Sequence, residues 1–420
     1  MKDDENYQKT VLSNKICIVT EKLTHVRSVT IGILINTGSR DEDETVNGIS
    51  HFIEHMIFKG TKKRSARQIA ADLDSIGGFF EAFTSREYVC LAIKVLDANL
   101  TKAVNILADI LLNPKFDEPD IERERAVILE EIKMVQDSPD ELIHDLLTNF
   151  IWQGNSLGRP ISGSEKNVRS FQRPDLVDFF RNHLRANNMV IATAGNFEHE
   201  KIVSIFERHF GDTKISKSPE NVPIPEFHAG IHVRPKELEQ VHFCLAFKGL
   251  RQAHSLRYIS YVYNTLLGGS MSSRLFQKIR EQHGLVYSIF SYRTSYRDAG
   301  FFSIYAACNS SNVQKVIDLS LKNLDDLATK KVSKSELERV KSQLKGSLVL
   351  GLESTYNRMN ALAKQEIYFQ RYISLNETLQ EVDKVTPAEV NEFGQSILSG
   401  SEPALVVIGP VNDKDFILPH

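Results

Sequence analysis

The chain has 420 residues, with 51 Lys and Arg against 54 Asp and Glu, and a net charge of −3. This balance excludes the broad basic surface with which proteins neutralise nucleic-acid phosphates, so we expect no nucleic-acid partner. Hydrophobic residues make up 41% and charged residues 25%, which is typical of a globular chain and not of a disordered one. The length predicts two or three domains.

The compartment is predicted by the apolar runs, the amino terminus and the cysteines. Apolar stretches such as Val29–Ile35 are far too short to cross a bilayer, so no membrane association is expected. The acidic segment Met1–Asn6 has no apolar run and predicts neither a secretory signal nor a transit peptide. The four cysteines are scattered singly, and three of them lie in strand-like apolar runs, which indicates buried thiols in a reducing, cytoplasmic compartment. They are Cys17, Cys90, Cys244 and Cys308.

The two halves of the chain predict the same order of elements: strands, helices, a hairpin, amphipathic helices and a late strand. They are separated by residues 212–228, a proline-containing segment that predicts an extended linker. We therefore expect an α+β protein with two similar domains, 1–211 and 229–420, each a mostly antiparallel sheet packed with helices. The predicted strands and hairpins are 16–20, 29–36, 79–95 and 189–194 in the first half, and 231–235, 240–247, 286–308 and 404–408 in the second. The predicted helices of the second half are 311–328, 333–350 and 353–369.

The most informative motif lies in a short helix predicted within residues 48–60, which Ser50 is expected to cap. On a helix, His51 and His55 are one turn apart, so both imidazoles can reach one metal ion. Glu54 flanks the same face and can take a proton from a metal-bound water without being a ligand. Chance places this spacing in roughly one chain in thirty, and a packed, hydrogen-bonded histidine pair is the alternative. A third ligand would decide between them.

That ligand is sought on a second helix, predicted over residues 121–135. One face of this helix is formed by positions 124, 127, 128, 131 and 135. Three of these are Val127, Ile128 and Val135, so this face is predicted to be buried. Glu124 and Glu131 then lie on the buried face two turns apart, and Glu130 is rotated about 100° away.

A buried carboxylate needs a cation or hydrogen-bond donors. A catalytic zinc site commonly has three protein ligands, one of which can be a carboxylate. We therefore predict that Glu131 binds zinc and that Glu124 assists as a neighbouring carboxylate. Pairing with nearby Arg or Lys residues is the alternative, and it suits Glu122 and Glu130 better.

Taken together, these segments resemble the pitrilysin family of inverzincin metallopeptidases. Within it, the chain is similar to the short two-domain branch that includes bacterial processing proteases and the catalytic subunit of mitochondrial processing peptidase. The resemblance spans nearly the whole chain. The matching segments are 36–42, 51–61, 82–87, the helix with Glu124 and Glu131, 157–160, 273–280 and 284–287.

The resemblance implies a zinc-dependent endopeptidase that hydrolyses extended peptides inside a closed chamber. It implies zinc bound by His51, His55 and Glu131, and Glu54 as the general base. The strand around Phe79–Val89 would pair with the substrate by strand addition.

The resemblance also assigns residues that contact the substrate. Ala82 and Phe83 are expected beside the scissile region, and Arg280 and Tyr287 near the cleaved bond. The family usually has Asn where this chain has Glu81, which puts that amide contact with the substrate in doubt. Without the resemblance, Arg280 and Tyr287 suggest a surface cation on a helix and a core aromatic.

Relatives build their chamber from four such domains, so the resemblance implies a homodimer. Two other classes of protein are weighed against a peptidase. A non-catalytic structural or partner subunit needs none of the motif residues. A metal-dependent deaminase is disfavoured because the chain has no cysteine ligand pair. A phosphatase is weakly disfavoured because the chain has no glycine loop for phosphate.

Overall fold

The computed structural model describes residues 6–215, 223–412 and 415–418. Residues 1–5 of the acidic amino terminus and residues 216–222 of the predicted linker lie outside the described residues. Within the linker, residues 212–215 and 223–228 are in neither a helix nor a strand. None of the helices in the described ranges has the length and apolar character that a membrane crossing requires.

The elements alternate along the chain as expected for an α+β protein. The strands are β1 (Tyr7–Val11), β2 (Cys17–Lys22), β3 (Ser28–Ile35), β4 (Phe79–Thr84), β5 (Val89–Leu96), β6 (Met189–Gly195), β7 (Gly230–Pro235), β8 (Val241–Lys248), β9 (Val286–Ser295), β10 (Gly300–Cys308) and β11 (Ala404–Gly409). The helices are α1 (Ile49–Met56), α2 (Ala66–Ser75), α3 (Leu100–Leu112), α4 (Glu118–Asp137), α5 (Pro139–Ile151), α6 (Glu165–Ser170), α7 (Arg173–His183), α8 (His199–Phe210), α9 (Arg257–Leu267), α10 (Val313–Thr329), α11 (Lys334–Gly351), α12 (Thr355–Phe369), α13 (Leu375–Lys384) and α14 (Pro387–Gly400).

Two mixed sheets share one topology. The first sheet has the strand order β1-β2-β6-β3-β5-β4, and the second has β7-β11-β8-β10-β9. From β2 and β7 onwards the two orders correspond strand for strand. In each sheet one pair is parallel, β2 with β6 and β7 with β11, and the other pairs are antiparallel. The repeated element order predicted from the sequence is therefore confirmed at the level of sheet topology.

The compact units built on these sheets are not continuous in sequence. The first unit contains Met1–Met134, Arg159–Val222 and Leu350–Ser374. The second contains Val135–Gly158, Pro223–Val349 and Leu375–His420. A segment with α5 from the first half thus belongs to the second unit, and a segment with α12 from the second half belongs to the first.

In the first unit the sheet is covered on both faces. One face packs against α1, α3, α4 and α8 in the larger core. The other face packs against α12, whose Met359 and Leu362 lie in one buried cluster with Val19 and Leu34. Gly32 on β3 permits this close approach, because a Cβ at that position would lie 2.2 Å from the sulfur of Met359.

In the second unit α5 covers the sheet in the way that α12 covers the first. Its Leu142, Ile143 and Leu147 pack with Val406 of β11 and with β8 and β10. The other face carries a separate core with α9, α10 and α14. This explains why each unit contains a segment from the other half of the chain. The helix that covers the second face of each sheet comes from that half.

Candidate metal centre and active site

The start of α1 differs from the sequence expectation. The helix begins at Ile49, and Gly48 occupies the cap position with a left-handed φ of 100°. Ser50 therefore lies inside the first turn and does not cap the helix, so that prediction is wrong. The carboxylate of Glu42 accepts the hydrogen bonds from the N–H groups of Gly48 and Ser50 instead.

The apolar face of α1 sets the direction of its polar residues. Its buried residues include Ile49, Phe52 and Met56, which pack into the larger core. His51 and His55 consequently lie on another side of the helix, with ring centroids 4.8 Å apart. This is the shared face that the spacing of the two histidines predicted.

The helix α4 brings Glu131 to the two histidines. Its Oε2 lies 3.7 Å from Nε2 of His51 and 3.5 Å from Nε2 of His55. One ligand atom from each of the three residues lies within 4.8 Å of the other two. A tetrahedral zinc ion with bonds of about 2.0–2.1 Å holds its ligand atoms about 3.3 Å apart. The side chains therefore fit a zinc ion with little adjustment.

The electrostatics of His51 also suit a metal ligand. Burial, with a smaller contribution from His55, lowers the pKa of His51 to about 4. The imidazole is then neutral at physiological pH, as a metal ligand must be. Its Nδ1 is buried and has no hydrogen-bond partner among the described residues.

Glu124 holds the other ring nitrogen of His55. Its Oε2 lies 3.1 Å from Nδ1 of His55, and its Oε1 lies 2.6 Å from Nζ of Lys59. A carboxylate at the second ring nitrogen fixes the tautomer and orientation of a metal-binding histidine. Lys59 was not singled out from the sequence. Its position four residues after His55 was the available signal.

The burial of α4 corrects one step of the sequence argument. Ile128 and Glu124 are buried, but Val127 is 43% exposed and the Glu131 side chain is 41% exposed. The predicted stripe is thus rotated, because Ile121, Leu129 and Ile132 also belong to the buried face. Glu131 lies at the margin of the core, where its carboxylate is open to solvent.

The neighbouring glutamates on α4 behave as the alternative predicted. Glu130 pairs with Lys133 at 2.7 Å, and Glu122 pairs with Arg125 at 3.0 Å. Neither carboxylate belongs to the metal-binding group.

Glu54 lies between the sheet and an apolar cavity. Its Oε2 accepts a 2.6 Å hydrogen bond from the hydroxyl of Thr84 at the end of β4. Burial raises the pKa of Glu54, and the hydrogen bonds from Thr84 work in the opposite direction. The adjoining pocket is lined mainly by apolar residues, among them Ile53, Ile57, Val89, Leu91 and Phe179. This environment favours proton uptake by Glu54, as a general base requires.

The predicted substrate strand is an edge strand. Among the described residues, β4 pairs only with β5, so its outer edge keeps backbone groups for another strand. Phe80 points to the α1 side, where its ring lies 4.8 Å from that of Phe58. Since side chains alternate along a strand, Ala82 and Thr84 share that side.

Glu81 and Phe83 face the other side of the first sheet. Phe83 packs in the cluster that includes α12, and its ring lies 6.0 Å from that of Tyr88. Burial and a hydrogen bond to Glu81 raise the pKa of Tyr356 to about 12. Glu81, which stands where the family usually has Asn, therefore has a local partner, the phenol of Tyr356.

Arg280 and Tyr287 lie in the second unit, apart in sequence from the metal-binding group. Arg280 is in a π-helical segment, Phe276–Gln282. Its guanidinium lies 4.7 Å from the ring centroid of Phe276 and 5.7 Å from that of Tyr287. Tyr287 is 77% exposed, so the alternative of a core aromatic is wrong.

Comparisons with known proteins place the chain among zinc proteases. Residues 17–165 match the family described as insulinase (peptidase family M16), and residues 170–344 match the peptidase M16 inactive domain. The chain belongs to peptidase family M16. It is 41% identical to the Bacillus subtilis protein named uncharacterized zinc protease YmxG, over 94% of this chain and 97% of the relative. It is 38% identical to the Streptomyces coelicolor protein named uncharacterized zinc protease SCO5738, over 97% of this chain and 90% of the relative.

Solved structures of this M16 fold cover almost the whole chain. A protease from Helicobacter pylori matches with a TM-score of 0.88 and 21% identity, over 96% of this chain and 99% of the other. A peptidase M16 inactive domain from Pseudomonas fluorescens matches with a TM-score of 0.90 and 18% identity, over 97% and 98%. These likenesses show the fold. With the curated relatives and the group of His51, His55 and Glu131, this chain is a zinc metalloprotease that acts on peptides.

Proposed function

We propose that this M16 protease is an endopeptidase in which His51, His55 and Glu131 bind zinc and Glu54 is the general base. The convergence of one ligand atom from each of the three residues within 4.8 Å carries the proposal. The presence of Glu54 on the same helix, one residue before His55, supports it.

A zinc ion held by His51, His55 and Glu131 would supply Lewis acidity to the scissile carbonyl and to a water. The protein's own groups move the proton. The carboxylate of Glu54 takes a proton from the water and returns it to the leaving amine. Glu124 and Lys59 hold His55 in orientation throughout.

The substrate binds as an added strand on the free edge of β4. Strand addition uses main-chain hydrogen bonds, so it selects extended or unfolded peptides more than particular sequences. The small side chain of Ala82 leaves room beside the scissile bond on the α1 side. Phe83 and Glu81 contribute contacts on the opposite side of the strand.

Arg280 and Tyr287 complete the substrate site in this proposal. The exposed phenol, held beside a guanidinium, can donate a hydrogen bond to the oxyanion that develops at the cleaved bond. We further propose that two copies of the chain form a homodimer that encloses the substrate, as the four-domain relatives imply.

The cellular compartment is proposed to be the cytoplasm. The four cysteines are free, and burial raises the pKa of Cys90 and Cys244 to about 12. Buried thiols with little thiolate character suit a reducing environment.

The test is Glu54→Gln, with Glu130→Gln as the matched control on an exposed glutamate. Zinc content is measured for each purified protein, and cleavage of an unstructured peptide library is followed by mass spectrometry. Glu54→Gln should keep one zinc per chain and lose hydrolysis, whereas Glu130→Gln should keep both. Retained cleavage by Glu54→Gln contradicts its role as the base. A wild-type protein that binds zinc and cleaves no peptide favours the alternative, a non-catalytic subunit of the same fold.

A further inference from the structure

The metal-binding helix α1 has an unusual cap. Glu42 is 3% exposed and lies six residues before Gly48. Its Oε2 accepts hydrogen bonds from Gly48 N at 2.7 Å and from Nδ2 of Asn47 at 3.1 Å. Its Oε1 accepts a 2.8 Å bond from Ser50 N. One carboxylate therefore satisfies three donors where the helix begins.

Two sequence segments that the proposed mechanism leaves unused meet at this cap. Glu42 ends the segment 36–42, and Arg159 belongs to the segment 157–160. Arg159 Nη1 donates a 2.8 Å bond to the carbonyl of Glu42, and Nδ2 of Asn47 donates to the carbonyl of Pro160 at 3.1 Å. At Gly48, with its positive φ, a Cβ would lie 2.7 Å from the carbonyl oxygen of Ser162. The start of α1 thus packs against the loop of Glu42 on one side and against residues 159–162 on the other.

The same segment is tied to the turn between β4 and β5. Backbone N–H groups of Ser39 and Arg40 donate to the carbonyls of Ser85 and Arg86. The side chain of Arg40 pairs with Glu87 at 2.6 Å, and both side chains are buried. Glu42 therefore connects the start of α1 to the turn that follows the substrate strand.

Because α1 is short, the stability of its first turn depends on this cap. An eight-residue helix has little stability of its own, and its first N–H groups need external acceptors. A negative charge at the N-terminus adds favourable interaction with the helix dipole. His51 is the third residue of α1, inside the turn that frays first when a cap is lost, whereas His55 lies near the other end.

We propose that Glu42 is a positioning residue for the metal centre: its carboxylate fixes the first turn of α1 and so sets His51 against His55 and Glu131. The inference rests on the proposed zinc ligands. It assigns Glu42 no contact with metal or substrate. Burial raises the pKa of Glu42 to about 7, and the hydrogen bonds from Gly48, Ser50 and Asn47 act in the opposite direction because they stabilise the charged form.

The experiment compares Glu42→Gln with Glu44→Gln in the full chain. Glu44 is exposed and lies two residues away, so it controls for the chemical change. Zinc affinity is measured by competition with a chromophoric chelator, and ligand geometry by the visible absorption of the Co²⁺-substituted protein. Circular dichroism reports folding. Loss of a supporting residue behind a metal ligand typically weakens metal binding about 10- to 100-fold. We expect Glu42→Gln to bind zinc about tenfold more weakly and to change the Co²⁺ spectrum, while Glu44→Gln matches the wild type.

Wild-type zinc affinity together with a wild-type Co²⁺ spectrum in Glu42→Gln overturns the inference. If Glu42→Gln does not fold, Glu42→Asp takes its place, since it keeps the charge but shortens the reach to Gly48 and Ser50. It should bind zinc more weakly with an altered spectrum, and wild-type values would again overturn the inference. A wild-type protein that binds no zinc contradicts the proposed function instead, so the two failures are distinguishable.

Discussion

The hydroxyl of Thr84 donates a 2.6 Å hydrogen bond to Oε2 of Glu54. Thr84 is the last residue of the edge strand β4, and Glu54 lies on the metal-binding helix α1. The bond joins the strand proposed to hold the substrate to the group proposed to accept the proton. In the proposed mechanism, the position of the base is therefore coupled to the position of the substrate backbone.

Removing this bond should reduce catalysis and shift its pH dependence. A hydrogen bond to a charged group contributes about 1.5–3 kcal/mol, so Thr84→Val should lower kcat/KM by roughly ten- to a hundredfold. The bond from the Thr84 hydroxyl lowers the pKa of Glu54, so its loss should move the acidic limb of the kcat/KM profile to higher pH. Thr84→Ser keeps the hydroxyl and should stay close to the wild type. An unshifted acidic limb in Thr84→Val would contradict this coupling.

The two adjacent glutamates of α4 should differ sharply in metal binding. Glu131 faces the histidines, whereas Glu130 pairs with Lys133 at the surface. Glu131→Gln removes a charged ligand and should weaken zinc binding by at least about tenfold, while Glu130→Gln should leave it unchanged. Isothermal titration of the metal-free proteins measures both. Equal losses in the two variants would show that the side of α4 facing the metal has been assigned wrongly.

The contact of α5 with the second sheet should depend on pH through His144. Its Nδ1 lies 2.7 Å from the hydroxyl of Tyr292, and burial lowers the pKa of His144 below its usual 6.5. The unfolded chain takes up a proton below about pH 6.5 and the folded imidazole resists it, so the free energy of unfolding falls as the pH drops through 6.5.

His144→Gln should reduce this pH dependence, because this side chain no longer titrates while other histidines with a lowered pKa, such as His183 and His242, still do. Urea unfolding at pH 8, 6.5 and 5.5 gives the slope for each protein. His228→Gln, at an exposed position, serves as the control and should retain the wild-type slope. An unchanged slope in His144→Gln would show that His144 does not contribute to the loss of stability at low pH.

The proposed homodimer predicts complementation between two inactive variants. Glu54→Gln lacks the base, and Tyr287→Phe lacks the phenol. If Tyr287 of one copy serves the zinc of the other, a mixed dimer contains one site with both groups intact, and activity should return on mixing. If each copy supplies its own phenol, every site keeps one defect. Native mass spectrometry measures subunit exchange. Exchange without recovered cleavage would contradict the proposal that Tyr287 of one copy serves the zinc site of the other.

The metal group could be predicted from sequence because its residues lie on two regular helices. The spacing of His51 and His55 fixes their shared face, and the periodicity of α4 separates Glu131 from Glu130. Most strands were predictable because they are continuous apolar runs, as in β3, β5 and β10. The strand β1, which is less apolar, was not predicted. Local periodicity was sufficient to predict the side on which a residue lies, wherever that side is determined by the residue's own helix or strand.

Other features depend on contacts between distant segments. The apolar stripe of α12 indicated a buried face, but periodicity does not specify that Met359 packs on the first sheet against Val19. The role of Glu42 was missed for a similar reason. Its loop gave no helical or strand pattern, and its partners at Gly48 and Ser50 became apparent only from the fold.

The central claim is that zinc bound by this chain drives peptide hydrolysis. The most direct measurement is the metal content of the purified protein together with cleavage of an unstructured peptide before chelation, after chelation and after zinc is restored. We predict one zinc per chain, cleavage that is abolished when the metal is removed, and cleavage that returns with zinc in the wild type but not in Glu54→Gln. Cleavage that persists in the metal-free protein would contradict the account.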